Sequence, residues 1–264
     1  DQSGVLAAEA ITRSLAIVHE YAEVIAQSEV SRVAVVGTQA LREARNAEEL
    51  VAPAEAILGA RIQVISGERE AALVHLAVAR SFPELADTTF VIADVGGGST
   101  EVVVVAGGRV AQVASLPIGA VRLTERNLAR NPPTGAEARA LIDDIDGHLT
   151  RAFDGTLPRG VPLVASAGTA TTMAAVHLKL FDYDPDKVQG LRLSTLVVEG
   201  MLAKFLEADV IGRRSMRGME PQRADVIPAG AAIFARLLHR MDASEMIVCD
   251  RGVRWGLAYE LAEK

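Results

Sequence analysis

Thr89-Phe90-Val91-Ile92-Ala93-Asp94-Val95-Gly96-Gly97-Gly98-Ser99-Thr100-Glu101-Val102-Val103-Val104-Val105-Ala106 contains two β-branched apolar runs separated by three consecutive glycines. Runs of this length and composition predict strands over Thr89–Asp94 and Glu101–Ala106, joined by a turn over Val95–Thr100. Gly107-Gly108 turns the chain again into a third strand, Arg109–Leu116. Three strands joined by tight turns make an antiparallel meander. Walker loops and dinucleotide fingerprints both feed a helix, whereas this glycine run opens into a strand, so neither applies.

Downstream, helical spacing predicts helices over Val121–Ala129 and Gly135–Phe153, separated by Asn131-Pro132-Pro133. A strand Leu163–Ser166 follows, then helices Ala170–Leu180, Ser194–Ala208 and Gln222–Met241, a strand Glu245–Cys249 and a helix Gly252–Ala262. This part reads βββαβαβα with extra helical insertions, the order of a ribonuclease-H-like domain. Upstream, a helix over Val5–Ile25 with Ser3 as its cap, a strand Arg32–Gly37, a helical stretch broken near Asn46, a helix Ala47–Leu58, a strand Arg61–Gly67 and a helix Glu68–Arg80 read αβαβα. That is the same order without the meander. The expected fold class is therefore α/β. It comprises two ribonuclease-H-like domains facing each other across a cleft, as in the actin/hexokinase/Hsp70 (ASKHA) architecture. Residues 1–81 form the remainder of the first domain, 82–250 the second, and 251–264 a C-terminal helix packing back on the first. Two parallel strands alone leave an unpaired apolar sheet edge. About 50 to 80 residues are thus expected before Asp1 to complete that sheet, unless a swapped or partner strand covers it.

The chain has 264 residues, 50% hydrophobic and 23% charged, which excludes a disordered or collagen-like protein. A net charge of −7 opposes general binding to nucleic acid or to an anionic membrane, so any anionic ligand is met locally. No apolar run is long enough to span a bilayer. The single cysteine, Cys249, excludes an internal disulfide framework, reads as a buried strand residue and points to the cytoplasm. The start, Asp1-Gln2-Ser3-Gly4, has neither an initiator Met nor a signal pattern.

Asp94–Glu101 carries the chemistry. Gly96, Gly97 and Gly98 let backbone N–H groups approach an anion, and Ser99 adds a hydroxyl donor. Asp94 and Glu101 bracket the loop, and hard carboxylates beside a bound phosphate are what Mg²⁺ selects. A second glycine site, Ser166-Ala167-Gly168-Thr169-Ala170-Thr171-Thr172, lies between a strand and a helix, where free N–H groups suit an anion; its hydroxyls read equally as helix caps. Glu68 and Glu70 open a helix, and a carboxylate facing the glycine loop across a cleft could activate water. Arg42 could meet a phosphate. The five histidines lack metal-ligand spacing, and Arg213-Arg214-Ser215-Met216-Arg217 reads as a polyanion guide or a solvated loop.

Gly37–Asn46, Ile65–Val78, Asp94–Glu101, Ser115–Thr124 and Arg223–Gly230 together resemble, in order, the signatures of the exopolyphosphatase / guanosine pentaphosphate phosphohydrolase (Ppx/GppA) family. The resemblance implies Mg²⁺-dependent release of a terminal phosphate from inorganic polyphosphate or guanosine pentaphosphate. It implies Glu70 as the catalytic carboxylate, Asp94 and Glu101 as acids that position metal, and Gly96–Ser99 as the phosphate loop. Gly168 and Thr169 belong to a second phosphate loop, and Arg42 matches an arginine facing the cleft. A homodimer is also implied. The family's opening Asp-x-Gly-Ser-Asn hairpin is absent, the second loop has fewer glycines than the family's, and the short chain resembles the two-domain form. Polyphosphate hydrolysis, pentaphosphate hydrolysis and turnover-free sensing of either ligand all remain open at this point.

Overall fold

A computed structural model describes residues 4–263. The elements are α1 (Ala8–Gln27), β1 (Val35–Gly37), α2 (Gln39–Glu43), α3 (Glu48–Leu58), β2 (Ile62–Val64), α4 (Gly67–Ser81), β3 (Thr89–Val95), β4 (Thr100–Ala106), β5 (Arg109–Leu116), α5 (Ala120–Asn127) and α6 (Gly135–Phe153). They continue with β6 (Leu163–Ser166), α7 (Ala167–Leu178), α8 (Pro185–Val188), β7 (Arg192–Ser194), α9 (Thr195–Glu207), α10 (Val210–Arg214), α11 (Ile227–Arg240), β8 (Glu245–Cys249) and α12 (Val253–Glu263). The chain divides into a first unit, residues 1–70 with 257–264, and a second unit, residues 71–256.

In the first unit, β1 and β2 pair in parallel with Val36 opposite Gln63, and α1 packs on α3. The sequence break near Asn46 has a physical cause. The Asn46 side chain accepts from the Leu6 N–H and donates to the Leu6 carbonyl, as a strand partner would. α1 starts at Ala8 after Ala7; the expected cap, Ser3, lies outside the described residues.

The second unit contains one six-stranded sheet ordered β5-β4-β3-β6-β8-β7. The meander β3-β4-β5 is antiparallel and continues into parallel β6 and β8, the ribonuclease-H-like order. Both faces of β3 and β4 are buried, which explains the unbroken Val102–Val105 run, whereas much of β5 is exposed. Phe90, Ile92, Val103, Val105, Val164 and Ile247 pack against Ala71, Val74 and Val78 of α4. The alternate residues Val91, Ala93, Val102, Val104, Leu163 and Val248 join a larger core with Leu141, Ile145, Met173 and Phe234. Each Val, Leu, Ile, Met or Phe among them contributes roughly 1.5–3 kcal/mol by leaving water. α6 begins with a capping box, Thr134 with Glu137, and stops at Asp154, which takes a left-handed conformation.

Three sequence expectations need correction. The edge strand β7 was missed because it is three residues long and turns only Leu193 inward. The long helix expected over Gln222–Met241 is a 3₁₀ turn at Pro221–Arg223 followed by α11 from Ile227, with Pro228 in its first turn. Arg213 belongs to no solvated basic cluster. It is buried and donates to the carbonyls of Ala224, Phe205 and Ala208, tying α10 to its surroundings. Among the described residues no helix is long and apolar enough to cross a membrane.

Candidate functional site

Strand alternation builds the site. On the sheet face covered by α4, β3 presents Phe90, Ile92 and then Asp94. On β4, Val105 and Val103 lead to Glu101; on β6, Val164 leads to Ser166; on β8, Ile247 leads to Cys249. Ladder register puts Glu101 opposite Asp94, Asp94 opposite Ser166, and Ser166 opposite Cys249. An apolar face therefore ends in one buried polar row at the carboxyl ends of the parallel strands, where open α/β sheets hold their ligands. Glu101 accepts from Ser115 Oγ at 2.8 Å. Burial pushes the Cys249 thiol up, and its Sγ donates to the Arg251 carbonyl, as befits an inert strand cysteine.

The Gly96–Ser99 loop closes on itself, with the Gly96 N–H donating to the Ser99 carbonyl at 3.0 Å. Its Gly96 and Gly97 carbonyls accept from the start of α5: Ala120 N–H to Gly96, and Val121 and Arg122 N–H to Gly97. The amides of Gly97, Gly98 and Ser99 donate to no acceptor among the described residues, so the loop offers donors beside two carboxylates. Gly119 makes this packing possible, because a Cβ there would lie 2.5 Å from the Gly97 carbonyl group.

At the second glycine site α7 begins at Ala167, ahead of the expected Ala170, so Gly168 and Thr169 sit in its first turn. Ala167 has φ 69°, a left-handed conformation that costs a non-glycine residue about 1–2 kcal/mol. Strain of this kind is concentrated at functional sites. Ser166 precedes it, and its Oγ is buried with no hydrogen-bond partner among the described residues. A Cβ on Gly252 would lie 3.2 Å from that Oγ and 3.7 Å from Asp94 Oδ2, so glycine at 252 leaves room beside both oxygens. The Arg223 guanidinium lies on the Gly168 backbone, where a Cβ would meet its Nη2 at 2.0 Å. Thr169 is turned elsewhere. Its side chain packs against Gly230 of α11, leaving only its backbone for a ligand. A cavity of about 760 Å³ is lined by Asp94, Gly168, Arg223, Asp250, Gly252 and Arg254.

In the first unit, Glu70 is buried and Arg42 Nη1 lies 3.4 Å from its Oε2 while donating to the Ile65 carbonyl at 2.6 Å. Glu68 is exposed, and its hydrogen bond with Ser66 holds its carboxyl below the usual range. Arg69 is engaged by both carboxylate oxygens of Glu260.

The structure thus joins Asp94 and Glu101 in one row, sets the Gly96–Ser99 loop between their strands, and gives Gly168 a cavity in common with Asp94. It pairs Arg42 with Glu70. Sequence reasoning named Ser166 only as part of the second glycine site and Arg223 only as part of a family signature, and did not select Gly252. Ser166 was legible as the next inward position after Val164, whereas Arg223 and Gly252 reach the site only through tertiary packing.

The Ppx/GppA phosphatase family matches the chain over residues 1–264. Exopolyphosphatase 2 of Mycobacterium tuberculosis is 32% identical over 279 residues, covering 99% of this chain and 85% of the relative. The guanosine-5'-triphosphate,3'-diphosphate pyrophosphatase of Vibrio cholerae is 28% identical over 271 residues, covering 100% of this chain and 51% of that longer protein. The crystal structure of the Aquifex aeolicus Ppx/GppA family member is 34% identical with a TM-score of 0.82, covering 99% of this chain and 84% of that one. A match along the whole sequence, together with the sheet order and the glycine loop between two acids, places this chain in the Ppx/GppA phosphatase family.

Proposed function

We propose that the protein hydrolyses the terminal phosphoanhydride of inorganic polyphosphate. The observation that carries this reading is the row of Glu101, Asp94 and Ser166 beside the uncommitted amides of Gly97, Gly98 and Ser99. These amides and the backbone around Gly168 hold the terminal phosphoryl group, with Arg223 on its flank. The similarity to the mycobacterial exopolyphosphatase supports this substrate, and the similarity to the Vibrio enzyme supports guanosine pentaphosphate as a second one.

The residues fit Mg²⁺. Two directly opposed, buried carboxylates present hard oxygens of the kind a divalent ion takes, and Ser166 Oγ adds an oxygen whose burial nothing else explains. Mg²⁺ is held through one or two carboxylates plus substrate phosphates, which two acids beside a phosphate loop can supply. Asp94 and Glu101 would hold it, and when bound it supplies charge compensation to the phosphate oxygens. Glu70 orients a water and accepts its proton as the water oxygen bonds to phosphorus. The bridging P–O bond breaks in line, and the shortened polyphosphate leaves with the electron pair. Arg42 holds the Glu70 carboxylate in place. No serine or cysteine nucleophile is needed.

Phosphate release from long-chain polyphosphate tests this. Release that requires Mg²⁺ and stops with EDTA is expected; binding without any release would assign the site to sensing instead.

A further inference from the structure

The cavity that reaches Asp94, Gly168 and Arg223 also extends to two aromatic side chains, Phe181 and Tyr183, in the segment between α7 and α8. Phe181 is 85% exposed, the most exposed large apolar side chain among the described residues, so core packing does not account for it. The Arg217 guanidinium lies 5.7 Å from its ring centroid. Tyr183 is fixed: its hydroxyl donates to Asp250 Oδ1 at 2.5 Å, and the Asp250 N–H donates to Gln189 at 2.8 Å. Part of the cavity lining therefore suits phosphate, while another part is an aromatic ring with a cation close to it. Inorganic polyphosphate repeats the same anionic group along its length and has no flat face for Phe181 to meet. A nucleoside polyphosphate has both parts, and the cavity volume falls in the range that holds such ligands.

We infer that Phe181 is the stacking platform for the base of a nucleoside polyphosphate whose phosphates run toward Gly168 and Arg223. Base–aromatic stacking is available to any base, and arginine adds cation–π attraction at such platforms. Phe181 is then a specificity residue that separates nucleoside substrates from inorganic ones. This inference rests on the phosphate-hydrolase reading of the cavity, but its test is binding rather than turnover.

Guanosine triphosphate and inorganic tripolyphosphate carry the same number of phosphates and differ in the nucleoside. Calorimetric titration of the intact protein with each, in the presence of Mg²⁺, gives an affinity ratio. The wild type is expected to prefer guanosine triphosphate. Phe181→Ala is expected to lower that preference about tenfold, and Phe181→Trp to keep it. Equal affinities in the wild type, or an unchanged ratio in Phe181→Ala, would overturn the inference. Absence of polyphosphate hydrolysis alongside a Phe181-dependent preference would instead sink the hydrolase reading and leave the platform standing.

Discussion

Asp94 and Glu101 are direct partners in the antiparallel ladder of β3 and β4, and both are buried. Side chains at such positions share a face with Cβ atoms about 4.5–5.5 Å apart, where like charges are destabilising. Neutralising one acid should therefore separate function from stability. Glu101→Gln is expected to reduce phosphate release at least 100-fold while the thermal midpoint holds or rises. A midpoint that collapses with activity would assign Glu101 to folding alone.

Ser166 makes a sharper case, since its buried Oγ has no partner among the described residues. A buried unsatisfied hydroxyl costs about 1–3 kcal/mol, so Ser166→Ala should leave the protein as stable or about 1 kcal/mol more stable. Its apparent Mg²⁺ affinity in the phosphate-release assay should fall about tenfold or more. Unchanged metal dependence would remove Ser166 from the site.

Two glycine substitutions should fail for different reasons. The Gly119→Ala methyl would lie 2.5 Å from the Gly97 backbone, which cannot yield without dragging the phosphate loop, and a loss of about 1–3 kcal/mol is expected in denaturant titration. Gly252→Ala meets Ser166 Oγ at 3.2 Å and Asp94 Oδ2 at 3.7 Å, so folding should survive while the space beside those oxygens is lost. Normal turnover in Gly252→Ala would show that no ligand uses that space.

Stability should also decline in mild acid. Half-burial of His75 on α4 disfavours its charged form and pushes its pKa down from 6.5. The unfolded chain then binds a proton more readily than the folded one, so stability falls as pH drops through 6.5 toward the folded pKa. His75→Gln should flatten the dependence of the denaturation midpoint between pH 7 and 5. An unaltered slope would place the acid sensitivity elsewhere.

Long periodic or β-branched segments carried most of the fold into the sequence. The Val102–Val105 run and the Gly107-Gly108 turn are local signals, and the meander and α6 follow the expected bounds to within a residue. β7 and α10 depend on neighbours instead: one is an edge strand with a single inward residue, the other a short helix held by the buried Arg213. The acids and the glycine loop were legible because three glycines between two strands have few structural uses. Ala167's left-handed backbone, the close approach of Arg223 to Gly168 and the packing of Thr169 against Gly230 arise only when distant segments meet.

The role of Glu70 is the central claim, and one comparison tests it most directly. Phosphate release and ligand binding should be measured in parallel for wild type and Glu70→Gln, with long-chain polyphosphate and Mg²⁺. Loss of a general base removes about 10²–10⁴-fold in rate. Release reduced to that degree, with binding within a few-fold of wild type, is the expected result. Wild-type release by a folded Glu70→Gln protein would contradict the mechanism outright.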